Sequence, residues 1–151
     1  MEITMEIRII TGQKKEFLDL LLLADEQESM IDRYLESGTM FALYDDALRS
    51  IAVVTQEDRF TYELKNLATD PESQHQGYAR HLIEYLCQYY KSEKAVMMVG
   101  TGEGSSQVNF YMKCGFHPAH VVENFFVDNY DHPIIEDGKQ IRNMIYLKRE
   151  L

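Results

Sequence analysis

At 151 residues the chain has the length of one compact domain, and it reads as a single unit over residues 1–151. Apolar residues make up 45% and charged residues 26%, a balance that sustains a core without staples. The net charge of −10 argues against a nucleic-acid partner, which needs a basic face, and first serves solubility. It also favours a cationic substrate, because negative clefts concentrate positive ligands. Cys87 and Cys114 form no C-x-x-C pair and the five histidines are scattered, so no metal is expected and both thiols read as packing residues. No apolar run is long enough to span a bilayer and no signal peptide opens the chain, so no membrane partner and a cytoplasmic location are expected.

In chain order, the β-branched alternation of Ile3–Ile10 predicts a strand. Phe17, Leu18, Leu21 and Leu22 carry helical spacing through Lys14–Ala24. A second helix is expected over Glu26–Glu36, stopped at Gly38. Thr39–Tyr44 and Leu48–Gln56 read as a hairpin about the Asp45-Asp46 turn. A further strand, Phe60–Thr69, ends at Asp70-Pro71, where proline disfavours helix in the residue before it. The polar loop Glu72–Gly77 leads to a helix over Tyr78–Tyr90 with Leu82, Ile83, Leu86 and Cys87 on one face. Ala95–Val99 reads as a short strand buried on both sides. A Gly/Ser loop, Gly100–Ser106, precedes a short helix that ends at Gly115. Phe116–Val127 and Ile141–Leu147 read as the last two strands, with Asp128–Lys139 a loop between them. The order β-α-α-β-β-β-α-β-α-β-β implies a mixed sheet with helices on its faces.

Chemistry concentrates where the strand ending at Thr69 gives way to the helix starting at Tyr78. The first N–H groups of a helix are unpaired and carry partial positive charge, so a loop wrapped onto them holds a diphosphate through backbone alone. Within Gln74-His75-Gln76-Gly77-Tyr78-Ala79, Gly77 permits close approach of an anion and Ala79 keeps the first turn thin. Arg80 adds a charge-assisted contact. An ordinary loop and helix start is the competing reading of these letters alone.

Gln74–Ala79 resembles the (Q/R)-x-x-G-x-(G/A) signature of the GNAT N-acetyltransferase superfamily. Glu63–Thr69 is similar to the strand before that signature, and Asn109–Phe116 to the family's block ending in Y-x-K-x-G-F, with Asn109 two positions before Tyr111. The resemblance is strong over Phe60–His117 and topological over Met1–Thr55; Gly100-Thr101-Gly102 and Asn143-Met144-Ile145 are similar to a bacterial subgroup. It implies an α/β (α+β) fold: a mixed, mostly antiparallel sheet of about seven strands, helices on both faces, and a splay after the fourth strand. The implied activity is acetyl-CoA-dependent acetylation of a primary amine on a small molecule, peptide or protein, with acetyl-CoA as acyl donor and no metal. Dimerisation through the last strands is a family habit and an expectation here.

The resemblance also implies roles. Gln74, His75, Gln76, Gly77, Tyr78, Ala79 and Arg80 would cradle the diphosphate, while Leu67, Ala68 and Thr69 offer backbone groups to the pantetheine arm, as in strand addition. An N–H near Ala68 would face the oxyanion. Glu63 is the expected base, against the alternative of a strand charge facing Lys65. Tyr111 is the expected acid, against a core aromatic, and Asn109 and Lys113 are expected at the cofactor. Tyr78, unusual in this turn, is expected to point outward. Phe125, Phe126 and Tyr130 read first as packing and second as an acceptor wall. Two other readings compete: a non-catalytic acyl-CoA-binding or sensing module on the same fold, and an unrelated nucleotide-binding α/β domain.

Overall fold

The computed structural model describes residues 5–151. Its first strand, β1 (Met5–Ile10), lies within the expected Ile3–Ile10; Ile3 and Thr4 lie outside the described residues. The chain continues through a 3-10 turn at Lys14–Phe17 into α1 (Leu18–Ala24) and α2 (Glu28–Ile31). The second helix is thus much shorter than the expected Glu26–Glu36, its remainder tightening into turns that close with Gly38 N–H donating to Tyr34 O at 2.9 Å. Lys14 explains why that segment holds without helix: its ammonium donates to the carbonyls of Leu35, Glu36 and Gly38 at 2.9, 3.3 and 2.7 Å. Orphan carbonyls at a helix end need such partners.

β2 (Thr39–Asp45) and β3 (Leu48–Gln56) form the expected hairpin, with Asp46 in the left-handed region at φ 67°. β4 (Thr61–Thr69) pairs antiparallel with β3, and α3 (Tyr78–Tyr89) follows. β5 (Val96–Gly102) pairs parallel with β4, and α4 (Gln107–Lys113) and β6 (His117–Val122) come next. The expected strand Phe116–Val127 stops at Val122. Asn124 adopts a left-handed φ of 57° with its N–H on Asn143 Oδ1, and α5 (Phe125–Asn129) starts there instead. The expected loop at Asp128–Lys139 contains the end of α5 and a hairpin, β7 (Ile134–Glu136) and β8 (Lys139–Ile141). Asp137 and Gly138 turn it with φ 50° and 77°, the paired positive φ of a two-residue hairpin turn. β9 (Met144–Glu150) closes the chain.

The main sheet has seven strands in the order β1-β2-β3-β4-β5-β9-β6, antiparallel throughout except between β4 and β5. α3 and α4 cover one face, where Phe41, Leu64, Leu82, Leu86, Met97, Phe116 and Leu147 pack together. α1 and α2 cover the other, over Leu21, Ile31, Met40, Ile51 and Val53. Cys87 and Cys114 are both buried in the first core as free thiols, as packing residues are. Among the described residues no helix is long and apolar enough to cross a membrane, and no cluster of His, Cys, Asp and Glu could hold a metal ion.

Two irregularities in β4 place the site. Val53 pairs with Asn66 but Val54 pairs with Leu64, so Lys65 is an extra, bulged residue. The bulge changes the alternation: Tyr62, Leu64 and Leu67 join the α3 core, while Ala68 joins the α1 core. The second irregularity is that β4 and β5 pair only from Thr61↔Val96 to Leu64↔Val99. Beyond that point β4 runs to Thr69 beside β3, and β5 runs to Gly102 beside β9. The sheet therefore parts after Leu64 and Val99, the splay expected after the fourth strand. Gly100–Gly102 belongs to β5 and not to a loop, because β9 supplies its ladder.

Candidate active site

Two connected cavities meet at this parting, one of about 520 Å³ on the α3 side and one of about 490 Å³ on the α1 side. Leu64, Lys65, Gly100 and Thr101 line both, so the two adjoin where β4 and β5 part.

The first cavity is bounded by the free stretch of β4, by the turn into α3 and by α4. In an antiparallel pair alternate residues turn N–H and C=O away from the partner; Asp70 N–H donates to Arg49 O across the pair, so Ala68, two residues back, faces β3, while Leu67 and Thr69 present backbone groups to this opening. Gly77 caps α3 at φ 86°, and open space surrounds the position a Cβ would take. Among the described residues, no amide from Gln74 to Arg80 donates in the turn, loop and cap contacts; the ladder begins with His81 N–H on Gly77 O at 2.9 Å. A twelve-residue helix thus aims its unpaired N–H groups at the cleft. Gln74, His75, Gly77, Tyr78, Ala79 and Arg80 line it; Gln76 does not, and its side-chain amide donates to Glu72 O at 3.4 Å.

Tyr78 departs from its expected outward display. Its hydroxyl donates to Asp45 Oδ2 at 2.6 Å, and Arg49 lies 5.9 Å from its ring centroid while donating to Ser73 Oγ at 3.1 Å. The aromatic side chain ties the turn to the β2–β3 hairpin, leaving the backbone free. Thr69, another departure from the family pattern, pairs its hydroxyl with Ser50 Oγ at 3.2 Å, while Ser50 donates to Ala68 O at 2.8 Å.

Tyr111 is 7% exposed, at the edge of the same cleft, against Phe110 and Phe116 with ring centroids 5.2 and 5.8 Å away. Burial pushes its phenol above the usual range, so it holds its proton at neutral pH. It is a core aromatic and a cleft residue at once. α4 turns Gln107, Phe110 and Tyr111 to the cleft and leaves Asn109 and Lys113 exposed on its outer side. The structure does not bring those two to the cavity; Lys113 only offers its carbonyl to Arg80 Nη2 at 3.3 Å.

Glu63 faces the second cavity. Its side chain is 13% exposed and its Oε2 lies 2.8 Å from Lys65 Nζ, which also lies 3.6 Å from Glu57. Burial raises its pKa above the usual carboxylate range, opposed by the Lys65 charge. Glu63 is therefore paired with Lys65, as the competing reading had it, but as a buried carboxylate in the cleft and not as a solvated strand charge.

Of the rest of this cavity the sequence suggested only Phe125, Phe126 and Tyr130, as packing first and an acceptor wall second; its acidic residues were not read from it. Asp25, Glu26, Glu57, Glu63 and Glu136 line it against Arg33 and Lys65, an acidic excess. Phe125, Phe126, Tyr130 and Tyr146 supply aromatic walls, so the Phe125-Phe126 cluster both packs internally, at 5.3 Å, and lines the cavity. Asp25 accepts hydrogen bonds from Tyr34 at 2.9 Å and from Tyr130 at 2.6 Å. Burial raises its pKa, against both hydrogen bonds. Asn66, 3% exposed, extends the chain by donating to the Tyr34 hydroxyl at 3.1 Å and to Leu21 O at 3.0 Å. Asp131 N–H on Gln27 Oε1 at 2.9 Å and His132 on Glu26 at 2.7 Å fasten the same two lips. These partners lie about a hundred positions apart, so no local pattern announces them.

The comparisons with known proteins agree with this geometry. The model of the Acetyltransferase (GNAT) family matches residues 8–116. The Bacillus subtilis protein named Uncharacterized N-acetyltransferase YvbK is 33% identical over 151 residues, covering 97% of each chain. A GNAT family acetyltransferase from Elizabethkingia anophelis, solved with acetyl-CoA bound, superposes with a TM-score of 0.91 at 35% identity, covering 97% of this chain and 98% of that one. A Bacillus subtilis acetyltransferase solved with CoA gives 0.88 at 32% identity over 98% and 99%. With its parted sheet, its glycine-capped helix and these relatives, the chain belongs to the GNAT family of acetyltransferases.

Proposed function

We propose that this acetyltransferase moves the acetyl group of acetyl-CoA directly to a primary amine, with the donor in the α3-side cleft and the acceptor in the acidic α1-side cavity. The observation that carries the reading is the parting of β4 and β5 after Leu64 and Val99, which joins the two cavities at one point. The unpaired amides between Gln74 and Arg80 suit a diphosphate, and the relatives solved with acetyl-CoA and CoA support that donor.

The amine nitrogen forms a bond to the thioester carbonyl carbon, the C–S bond breaks, and one proton passes from the amine to the departing thiolate. Glu63 takes the amine proton, directly or through water; its burial keeps its basicity above that of a surface carboxylate. An N–H of the free β4 stretch near Ala68 receives the developing oxyanion. Tyr111 supplies the thiolate's proton. Burial keeps that phenol protonated until the step, and solvent carries the proton left on Glu63 back to Tyr111, which resets both groups. The acidic excess of the acceptor cavity suits a cationic amine, and its aromatic walls suit the amine's apolar portion.

The test is thermal melting with acetyl-CoA, then thiol release across a panel of primary amines. Acetyl-CoA stabilisation with thiol release, strongest for cationic amines, is the expected result. Stabilisation without thiol release for any amine would favour a sensing module, and no stabilisation at high excess would overturn the donor assignment.

A further inference from the structure

A row of residues crosses the α1-side face of the sheet where it parts. His120 of β6 pairs with Tyr146 of β9, and Tyr146 pairs with Gly100 of β5. Glu63 lies on the next strand, one residue before the last β4–β5 pair, Leu64↔Val99. Ile145 and Leu147, the neighbours of Tyr146, pack into the opposite core, so Tyr146 faces the acceptor cavity, which it lines together with Glu63.

Gly100 makes this arrangement possible by lacking a side chain. A Cβ there would lie 2.6 Å from Met144 Sδ and 3.0 Å from Tyr146 Cε1. The thioether tip can swing aside, but the ring is braced from behind by His120, stacked at 4.9 Å and 22°. Tyr146 therefore lies over the bare backbone of β5. The charges of Glu63 and Glu57, after burial, push its phenol up to about 12, so it is a protonated donor at neutral pH. Lys65 contacts Glu63 and Glu57 on β4's side of the cavity, Asp25, Glu26, Arg33, Tyr34, Tyr130 and Glu136 line its other walls, and β5 brings no titratable side chain to it.

In the structure Glu63 is held by Lys65; we infer that Tyr146, reaching across Gly100 into the same cavity, is a positioning residue whose hydroxyl turns to donate a hydrogen bond to Glu63 and fixes that carboxylate toward the acceptor amine. The inference rests on the reading of Glu63 as base. A donor to a carboxylate favours its charged form, so loss of the hydroxyl raises the Glu63 pKa.

The experiment compares pH profiles of kcat/KM for the wild type, Tyr146→Phe, Gly100→Ala and Glu63→Gln on one amine, so that the amine's own titration is common to all. Melting and acetyl-CoA affinity serve as folding controls. Tyr146→Phe is expected to lower kcat/KM about tenfold and to move the acid limb up by about one pH unit, the scale of one hydrogen bond to a charged group. Gly100→Ala is expected to move the limb the same way by displacing the ring. An acid limb unmoved in a folded Tyr146→Phe overturns the inference while leaving Glu63 as base. Retention of both limb and rate in Glu63→Gln overturns the base assignment and the inference with it.

Discussion

Lys65 Nζ, on the bulged residue of β4, lies 2.8 Å from Glu63 Oε2 two positions earlier, at the wall shared by the two cavities. The lysine stabilises the glutamate's charged form while burial disfavours it, and burial prevails. The rate should therefore fall as pH drops through a value above the usual carboxylate range. Lys65→Met removes the stabilising charge, so the Glu63 pKa rises further and the acid limb of kcat/KM moves to higher pH. Profiles of the two enzymes on one amine check this; a limb that moves down would contradict it.

Removing the proposed acid should separate chemistry from binding. Tyr111→Phe keeps the ring between Phe110 and Phe116 and deletes only the hydroxyl. Turnover should drop about a hundredfold, the lower end for a positioned acid. The dissociation constant for acetyl-CoA, measured by calorimetry, should stay within about twofold of wild type if the hydroxyl acts mainly in the transition state.

The α3 cap should be sensitive to side chains for conformational reasons, since open space surrounds Gly77. Gly77→Ala forces an L-residue into the left-handed region at a cost of about 1 kcal/mol, measurable by urea unfolding. Gly77→Glu adds a negative charge where a diphosphate is proposed to sit, and acetyl-CoA stabilisation in thermal melts should disappear while the apo protein still folds.

Lys14 predicts a stability effect unconnected with chemistry. It is 7% exposed and satisfies the carbonyls of Leu35, Glu36 and Gly38. Lys14→Met keeps much of the aliphatic stem but strands these acceptors, and should lower unfolding free energy by about 2–3 kcal/mol. Chemical denaturation with an unchanged m-value would show the loss arises in the native state.

Local patterns carried the elements whose periodicity and burial agree. The helix at Tyr78–Tyr89 and the hairpin of β2 and β3 followed from spacing and turn chemistry. Phe125 and Phe126 misled because aromatic residues favour strands, whereas here Asn124 breaks the strand and the rings close a cavity. The β7–β8 hairpin was available in the Asp137-Gly138 pair, whose two positive φ angles suit that turn. Gly100–Gly102 resembles a loop by composition and is a strand because β9, some forty residues later, pairs with it.

By itself the sequence determined the seven-stranded mixed architecture, the strand–turn–helix junction around Gln74–Ala79 and the nearness of Glu63 to Lys65 along one strand. Each rests on interactions within a few residues: helix periodicity, unpaired helix-end amides, a proline, a glycine. Only the tertiary structure decided which surfaces meet. It placed Asp25 under Tyr130, Tyr146 over Gly100, and Asn109 and Lys113 outside the cleft. Those outcomes depend on strand register, on one bulge, and on where two strands stop pairing, and these are set by packing between segments far apart in the chain.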